Sequence, residues 1–354
     1  MCICLSELSR HQRFRRRSLG IIKKIMNYDL LMQRAINISA PYKYLVKPNP
    51  MVGALIVKDD KVLAEGAHEK FGEAHAEVNC FNSLRDKIDK DHVMICTLEP
   101  CNHYGKTPPC TEKIIESGIK KIIIGSLDPN PKVAGIGIKR LKDAGLEVSY
   151  GVLEKEVREL NKFFFFKHEN GRPFITIKIA SSADWKSHSK DGSTTWITSE
   201  ASRKDVQVVR AEHDAILTGG NTIRTDNPRM NARVEFPLIQ PQKILLSEQT
   251  KWDLSLDFFQ DSQVKIIGET NLVKVVEELS KRDINSLLVE AGPKLVNSFL
   301  DDGLCDEMII YQSPDKLGEN GVSWFQKEAM IDKYGLSLKS SYTIDRDKKT
   351  VFEK

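Results

Sequence analysis

The chain has 354 residues, 40% of them hydrophobic, and a formal charge of +4, enough apolar material for the cores of two ordinary domains. No apolar run approaches the roughly 20 residues that span a bilayer, so a soluble protein without a membrane partner is expected. The charge is uneven. Seven basic residues (Arg10, Arg13, Arg15, Arg16, Arg17, Lys23, Lys24) face one acid, Glu7, before Met26. Taking +6 from +4 leaves the remainder near −2, which gives no electrostatic basis for nucleic-acid binding.

Residues 1–25 lack the apolar core of about 7 to 15 residues that a secretory signal needs, since Leu19-Gly20-Ile21-Ile22 is too short. They read as a disordered basic extension, and the folded chain is expected from Met26. There MNYDLLMQRAINIS has helical apolar spacing. Cys2, Cys4, Cys80, Cys96, Cys101, Cys110 and Cys305 make an odd set without small-domain spacing, which predicts a reducing, cytoplasmic compartment. There, closely spaced cysteines beside a histidine are metal ligands before they are a bridge.

From 52 to 68, VGALIVKDDKVLAEGAH predicts a hairpin with Asp59 and Asp60 at its tip. HAEVNCFNSLRDKI reads as a helix, HVMICTLEP as a strand, TEKIIESG as a helix closed by Gly118, KKIIIGSLD as a strand, IKRLKDAG as a helix closed by Gly145, and LEVSYGV as a strand. This alternation predicts an α/β layer with parallel strands. EKEVRELNKFFFFKHENG reads as one charged helix whose four phenylalanines cannot share a stripe, so some should be covered by another domain. A boundary is placed near 150, dividing 26–149 from 150–354. Beyond it PFITIKIA, DAILTGG, KILLS, VKIIG, SLLVEAG and DEMIIYQS read as strands, NLVKVVEELSKRD and KLVNSFLDDG as helices, and the tail as a closing hairpin.

His75 and Glu77 of HAEVNC acquire meaning from TLEPCNHYGKTPPC downstream. Singly, His75 is an ordinary helix-end histidine. One His with Cys101 and Cys110 leaves a tetrahedral zinc one open position, as in catalytic sites, whereas His103 as a fourth ligand would make a structural centre. Cys110 at a helix start gains from the positive end of the dipole, which favours its thiolate. Zinc lowers the pKa of bound water to about 7, and Glu77, a carboxylate that does not ligate, is placed to carry protons to a leaving amine. His-Ala-Glu with Pro-Cys and a later Cys matches the zinc deaminase signature.

KPNPMVGALIV, GEAHAEV, TLEPCNHYGKTPPC and DPNPKVAGIG together resemble the deaminase half of the bifunctional riboflavin-biosynthesis deaminase/reductase family. KIASSAD, STTWITSEASRKDVQVVRAEHDAILTGGNTIRTDNPRMNAR and LLVEAGPKLVNSFL resemble its reductase half. The resemblance runs from residue 26 onward. It implies a cytidine-deaminase-like three-layer α/β domain followed by a dihydrofolate-reductase-like α/β domain, with zinc and NADPH as cofactors and pyrimidine ribose phosphates as substrates; a homo-oligomer is expected. It implies His75, Cys101 and Cys110 as zinc ligands and Glu77 as proton shuttle. Asn49, His68, Ala76, His103, Lys106, Asp128 and Asn130 fall at its deaminase substrate positions. Lys178, Arg210, Asp226, Arg233 and Glu290 fall at its reductase substrate positions, and Trp196, Thr198, Ser199, Gly219 and Gly292 at cofactor contacts. The absence of GxGxxG argues against a Rossmann domain.

The chain departs from the family twice. Trp185 stands where the family carries Gly in a turn, so a turn needing positive φ would have to be rebuilt, and Ala291 adds a methyl where a cofactor backbone approaches. Trp185 motivates an alternative, a monofunctional deaminase whose second domain is weak in reduction or serves oligomerisation. A nucleic-acid-editing deaminase with a basic arm is disfavoured by the slightly acidic remainder.

Overall fold

The computed structural model describes residues 26–104, 108–131, 133–191, 196–261, 264–325 and 331–354. The extension expected at 1–25 and Lys106, expected at a deaminase substrate position, lie outside the described residues. Helix α1 (Tyr28–Ser39) begins after Asn27, whose side chain accepts from the Leu30 amide and so satisfies one of the free N–H groups of the first turn. Strands β1 (Gly53–Lys58) and β2 (Lys61–Ala67) form the expected hairpin. Asp59 and Asp60 turn its tip at φ 49° and 62°, the left-handed pair that matches strand twist in a tight hairpin.

Then follow α2 (Ala76–Ser83), β3 (Val93–Leu98), α3 (Cys110–Ser117), β4 (Lys121–Ser126), α4 (Ile136–Asp143) and β5 (Glu147–Tyr150). The sheet order is β2-β1-β3-β4-β5. Its β3, β4 and β5 are parallel, while β1 runs antiparallel to both neighbours. Alternate strand residues serve two cores. Ala54, Ile56, Met94 and Cys96 pack with Ile114 and Ile138 of α3 and α4, whereas Leu55, Val57 and Ile95 pack with Met32 and Ile36 of α1. That makes three layers. Helix α2 stops seven residues after it starts, short of the predicted length, where the Ser83 hydroxyl donates back to Cys80 O and across to Glu65 O.

The single helix expected after residue 153 is two, α5 (Glu154–Leu160) and α6 (Lys162–Asn170). The break is at Asn161. Its side chain accepts from Met51 N at 2.8 Å and donates to Met51 O at 2.9 Å, acting as a strand partner for the segment before β1, and its backbone leaves helical geometry at φ −112°. Phe163 and Phe166 pack on Phe174 of the second sheet, inside the same 150–354 segment rather than against another domain.

That sheet contains β6 (Phe174–Ser181), β8 (Ala215–Gly219), β9 (Gln242–Leu246), β10 (Val264–Ile267), β11 (Ser286–Val289), β12 (Glu307–Gln312), β14 (Ser337–Ile344) and β15 (Asp347–Glu353), in the order β10-β9-β8-β11-β6-β12-β15-β14. A separate ribbon, β7 (Lys186–Ser189) with β13 (Gly321–Ser323), was not legible in the sequence. Helices α7 (Glu200–Glu212), α8 (Gly220–Asp226), α9 (Leu272–Ser280) and α10 (Pro293–Asp301) complete the domain. The turn at Trp185 is not rebuilt: Trp185 itself takes φ 59°, at a cost of about 1–2 kcal/mol. Its ring packs on the core and on Phe325, 5.9 Å between centroids, and such aromatic packing offsets the strain by a comparable amount, about 0.5–1.5 kcal/mol beyond area burial.

Candidate active sites

His75 precedes α2 with extended backbone and makes no side-chain cap, which leaves its imidazole available. Cys101 follows β3, and Cys110 is the first residue of α3, its amide donating to the Cys101 sulfur at 3.4 Å. The His75 Nδ1 lies 3.5 Å from Cys101 Sγ and 3.3 Å from Cys110 Sγ, and all three ligand atoms lie within 4.8 Å of one another. A tetrahedral zinc with Zn–S near 2.3 Å and Zn–N near 2.0–2.1 Å separates its N and S ligands by about 3.5 Å, so the donors fit that ion. Among the described residues His103 is outside this group, which leaves a fourth position without a protein ligand. The hydrogen bond with Cys110 is the largest influence drawing the Cys101 thiol well below the usual thiol range, and the same pairing pushes Cys110 up.

Glu77, one residue into α2, is 4% exposed. Burial first, then the charge of Cys101, push its carboxyl above the usual carboxylate range, so it takes up a proton more readily than a surface glutamate. His68 Nδ1 is 3.0 Å from Ala74 O, a pure acceptor, so that nitrogen carries the proton. Its Nε2 then accepts from Asn49 Nδ2 at 3.2 Å, which leaves the Asn49 carbonyl oxygen for recognition. The His68 ring sits edge-on to His75, 5.7 Å between centroids. Ala76 has its methyl in the core and contributes a first-turn amide without an intrahelical partner.

Asp128 and Asn130 lie on the loop after β4, where the Asp128 carboxylate accepts from Asn130 N at 2.8 Å. Glu99, to which the sequence reading assigned no role, holds this loop. Its carboxylate accepts from the amides of Asp128, Gly135 and Ile138 at 3.0–3.3 Å. Its place at a strand end, two residues before the Cys101 ligand, was the available signal. Gly137 packs so closely that a β-carbon there would stand 2.2 Å from Pro100 O. Burial first, then the Glu99 charge, push the Asp128 carboxyl up to about 6, so it gains its charge only as the pH passes that value. If the charged form holds substrate, the deamination KM falls about tenfold from pH 5 to 7. Asp128→Asn is expected to flatten that dependence in steady-state assays, and an unchanged profile would count against the role.

The second site is a cleft of about 610 Å³ at the carboxyl ends of the parallel strands. Register carries it: Val289 of β11 pairs with Ile177 of β6, which places Glu290 beside Lys178. Lys178 Nζ is 2.9 Å from Glu290 Oε2, and Arg210 Nε is 2.6 Å from Oε1. Burial alone would raise the Glu290 carboxyl, but Arg210 and then Lys178 hold it well below the usual range. Asp226, Arg233, Trp196, Thr198 and Gly292 line the same cleft, as does Ala291. Trp196 is 72% exposed under the Arg203 guanidinium at 4.6 Å, a flat surface for a ring ligand. Ser199 and Gly219 are not on this wall. The Ser199 hydroxyl caps α7 by accepting from Ser202 N, its amide donates to Asp347, and Gly219 is the residue before α8.

Residues 26–126 match the family model for the cytidine and deoxycytidylate deaminase zinc-binding region, and residues 173–350 match that for the RibD C-terminal domain. The chain is 37% identical over 311 residues to the riboflavin biosynthesis protein RibD of Aquifex aeolicus, covering 81% of this chain and 87% of that protein. It is 38% identical over 324 residues to RibD of Haemophilus influenzae, covering 82% and 87%. Among solved structures, Acinetobacter baumannii RibD superposes with a TM-score of 0.85 at 33% identity, covering 92% of this chain and 98% of that one. A Thermotoga maritima protein described as a diaminohydroxyphosphoribosylaminopyrimidine deaminase/5-amino-6-(5-phosphoribosylamino)uracil reductase superposes at 0.80 with the same identity and coverage. With a zinc-type His/Cys/Cys group in one α/β domain and an ion-paired cleft in the next, the chain belongs to the RibD family of bifunctional riboflavin-biosynthesis enzymes.

Proposed function

We infer that residues 26–149 hydrolytically deaminate diaminohydroxyphosphoribosylaminopyrimidine and that residues 150–354 reduce the ribosyl side chain of the resulting 5-amino-6-(5-phosphoribosylamino)uracil with NADPH; the similar Thermotoga maritima protein is described as a deaminase and a reductase of these two compounds. The observation that carries the reading is one buried carboxyl, Glu77, beside three ligand atoms suited to zinc. When bound, zinc acidifies water to a pKa of about 7. His75, Cys101 and Cys110 would hold it, and Glu77 takes a proton from the attacking water and returns it to the leaving amine. Asn49 presents its carbonyl oxygen to the base, and Asp128 accepts from substrate donors. In the second cleft NADPH supplies the hydride. Lys178 and Arg210 attract the ribose phosphate, Asp226 accepts sugar hydroxyls, and Trp196 and Gly292 meet the cofactor.

A reductase-like domain that serves packing alone is not favoured, because the residues that converge at Glu290 form an open, charged cleft instead of a filled core. Among the described residues no helix is long and apolar enough to cross a membrane. Cytoplasmic location and self-association belong to the same proposal; tagged-protein imaging and light scattering test them. Metal analysis of the purified chain should find one zinc. Its removal by a chelator should abolish ammonia release and leave NADPH oxidation on the deaminated substrate intact; a zinc-free protein that still releases ammonia would refute the reading.

A further inference from the structure

The segment that carries Asn49 into the deaminase site belongs to no helix or strand, and its neighbours are fastened to the other domain. The Lys47 ammonium donates to Ala211 O and His213 O, both at 2.7 Å, at the carboxyl end of α7. The next residue's carbonyl, Pro48 O, accepts from Asn285 Nδ2 at 2.5 Å. Upstream, Tyr44 O accepts from Ile239 N at 2.8 Å, the Tyr44 ring stacks on Phe236 with centroids 4.4 Å apart, and Lys43 pairs with Glu212 at 2.6 Å. On the far side Met51 is gripped at both backbone atoms by Asn161. Asn49 therefore lies between clamps, its amide closing a turn on Val46 O at 2.9 Å and its side chain reaching His68.

Lys47 suits this place for a physical reason. Its Nζ is part-buried, where an ammonium is costly unless its donors are used. The last carbonyls of α7 lack intrahelical partners and carry the negative end of the helix dipole. One cation thus satisfies two orphan acceptors and ties the Asn49 turn to the helix that also presents Arg210 to the reductase cleft.

We propose that Lys47 is a positioning residue for deamination: anchored on a reductase helix end, it holds the turn that aims Asn49 at the pyrimidine, so the second domain supplies part of the first site's substrate affinity. The proposal rests on reading Asn49 as a substrate contact. The test uses the full-length chain and measures ammonia release for Lys47→Met, Asn49→Ala, the double variant and Asn285→Ala, each checked for zinc content and circular dichroism. Lys47→Met keeps the apolar stem and removes the ammonium. It is expected to raise the deamination KM about tenfold with kcat within about twofold, because displacement of a contact weakens binding before it alters chemistry. Asn285→Ala should act the same way through Pro48. A residue acting through Asn49 adds nothing once Asn49 is gone, so the double variant should match Asn49→Ala. Losses that multiply in the double variant, or an unchanged KM in both Lys47→Met and Asn285→Ala, would overturn the positioning role while leaving Asn49 as a contact. An unchanged KM in Asn49→Ala would remove the underlying reading and the proposal with it.

Discussion

Glu77→Gln is expected to lower ammonia release about a thousandfold while zinc content and NADPH oxidation on the deaminated substrate stay at wild-type level. The substitution conserves volume in a side chain only 4% exposed, so packing changes little. It removes the one property the mechanism uses, the ability to take and return a proton. Positioned acid–base groups contribute typically 10²–10⁴-fold, and burial, which pushes the Glu77 carboxyl up, places this group toward the effective end by bringing it closer to the working pH. The two reactions are to be assayed separately on one preparation. Loss of both together would contradict independent sites, and near-normal ammonia release would remove Glu77 from the chemistry.

Glu290→Ala should be the most damaging single change in the second domain. Glu290 is 4% exposed and balances two cations, Lys178 at 2.9 Å and Arg210 at 2.6 Å. Removing one partner of a buried ion pair leaves uncompensated charge and costs about 3–5 kcal/mol. NADPH oxidation should vanish as the cleft loses its organising anion, with ammonia release much less affected. The sign of the pH dependence follows from the depressed carboxyl. Its contribution is fully present above the unfolded value of about 4.5 and is lost only as pH falls toward the lower folded value. Denaturant unfolding between pH 6 and 8 should therefore show the same deficit throughout. A deficit under about 1 kcal/mol would mean that the triad is screened and weak.

Local chemistry made much of this molecule legible before any coordinates. Asp59-Asp60 between two apolar runs predicts a tight hairpin, and Gly118 and Gly145 after apolar helical runs predict helix ends; both glycines sit at φ above 80°. The break at Asn161 was not legible, since its cause is Met51, 110 residues earlier. The ribbon of β7 and β13 pairs short polar segments more than 130 residues apart, and such pairing leaves no periodic trace. Trp185 shows the opposite failure: local rules demanded a rebuilt turn, and a hydrophobic ring packed on the core made the strained one tolerable.

By itself the sequence determined the donor types, one imidazole, two sulfurs and one carboxyl, together with the alternation of strands and helices that places them at strand and helix ends, because these follow from side-chain chemistry and short-range periodicity. Only the tertiary structure decided that His75, Cys101 and Cys110 face a single point, that strand register sets Glu290 beside Lys178, and that Asn49 is held from the other domain. Each of these depends on segments brought together by the burial of distant apolar faces, and no local pattern encodes that distance.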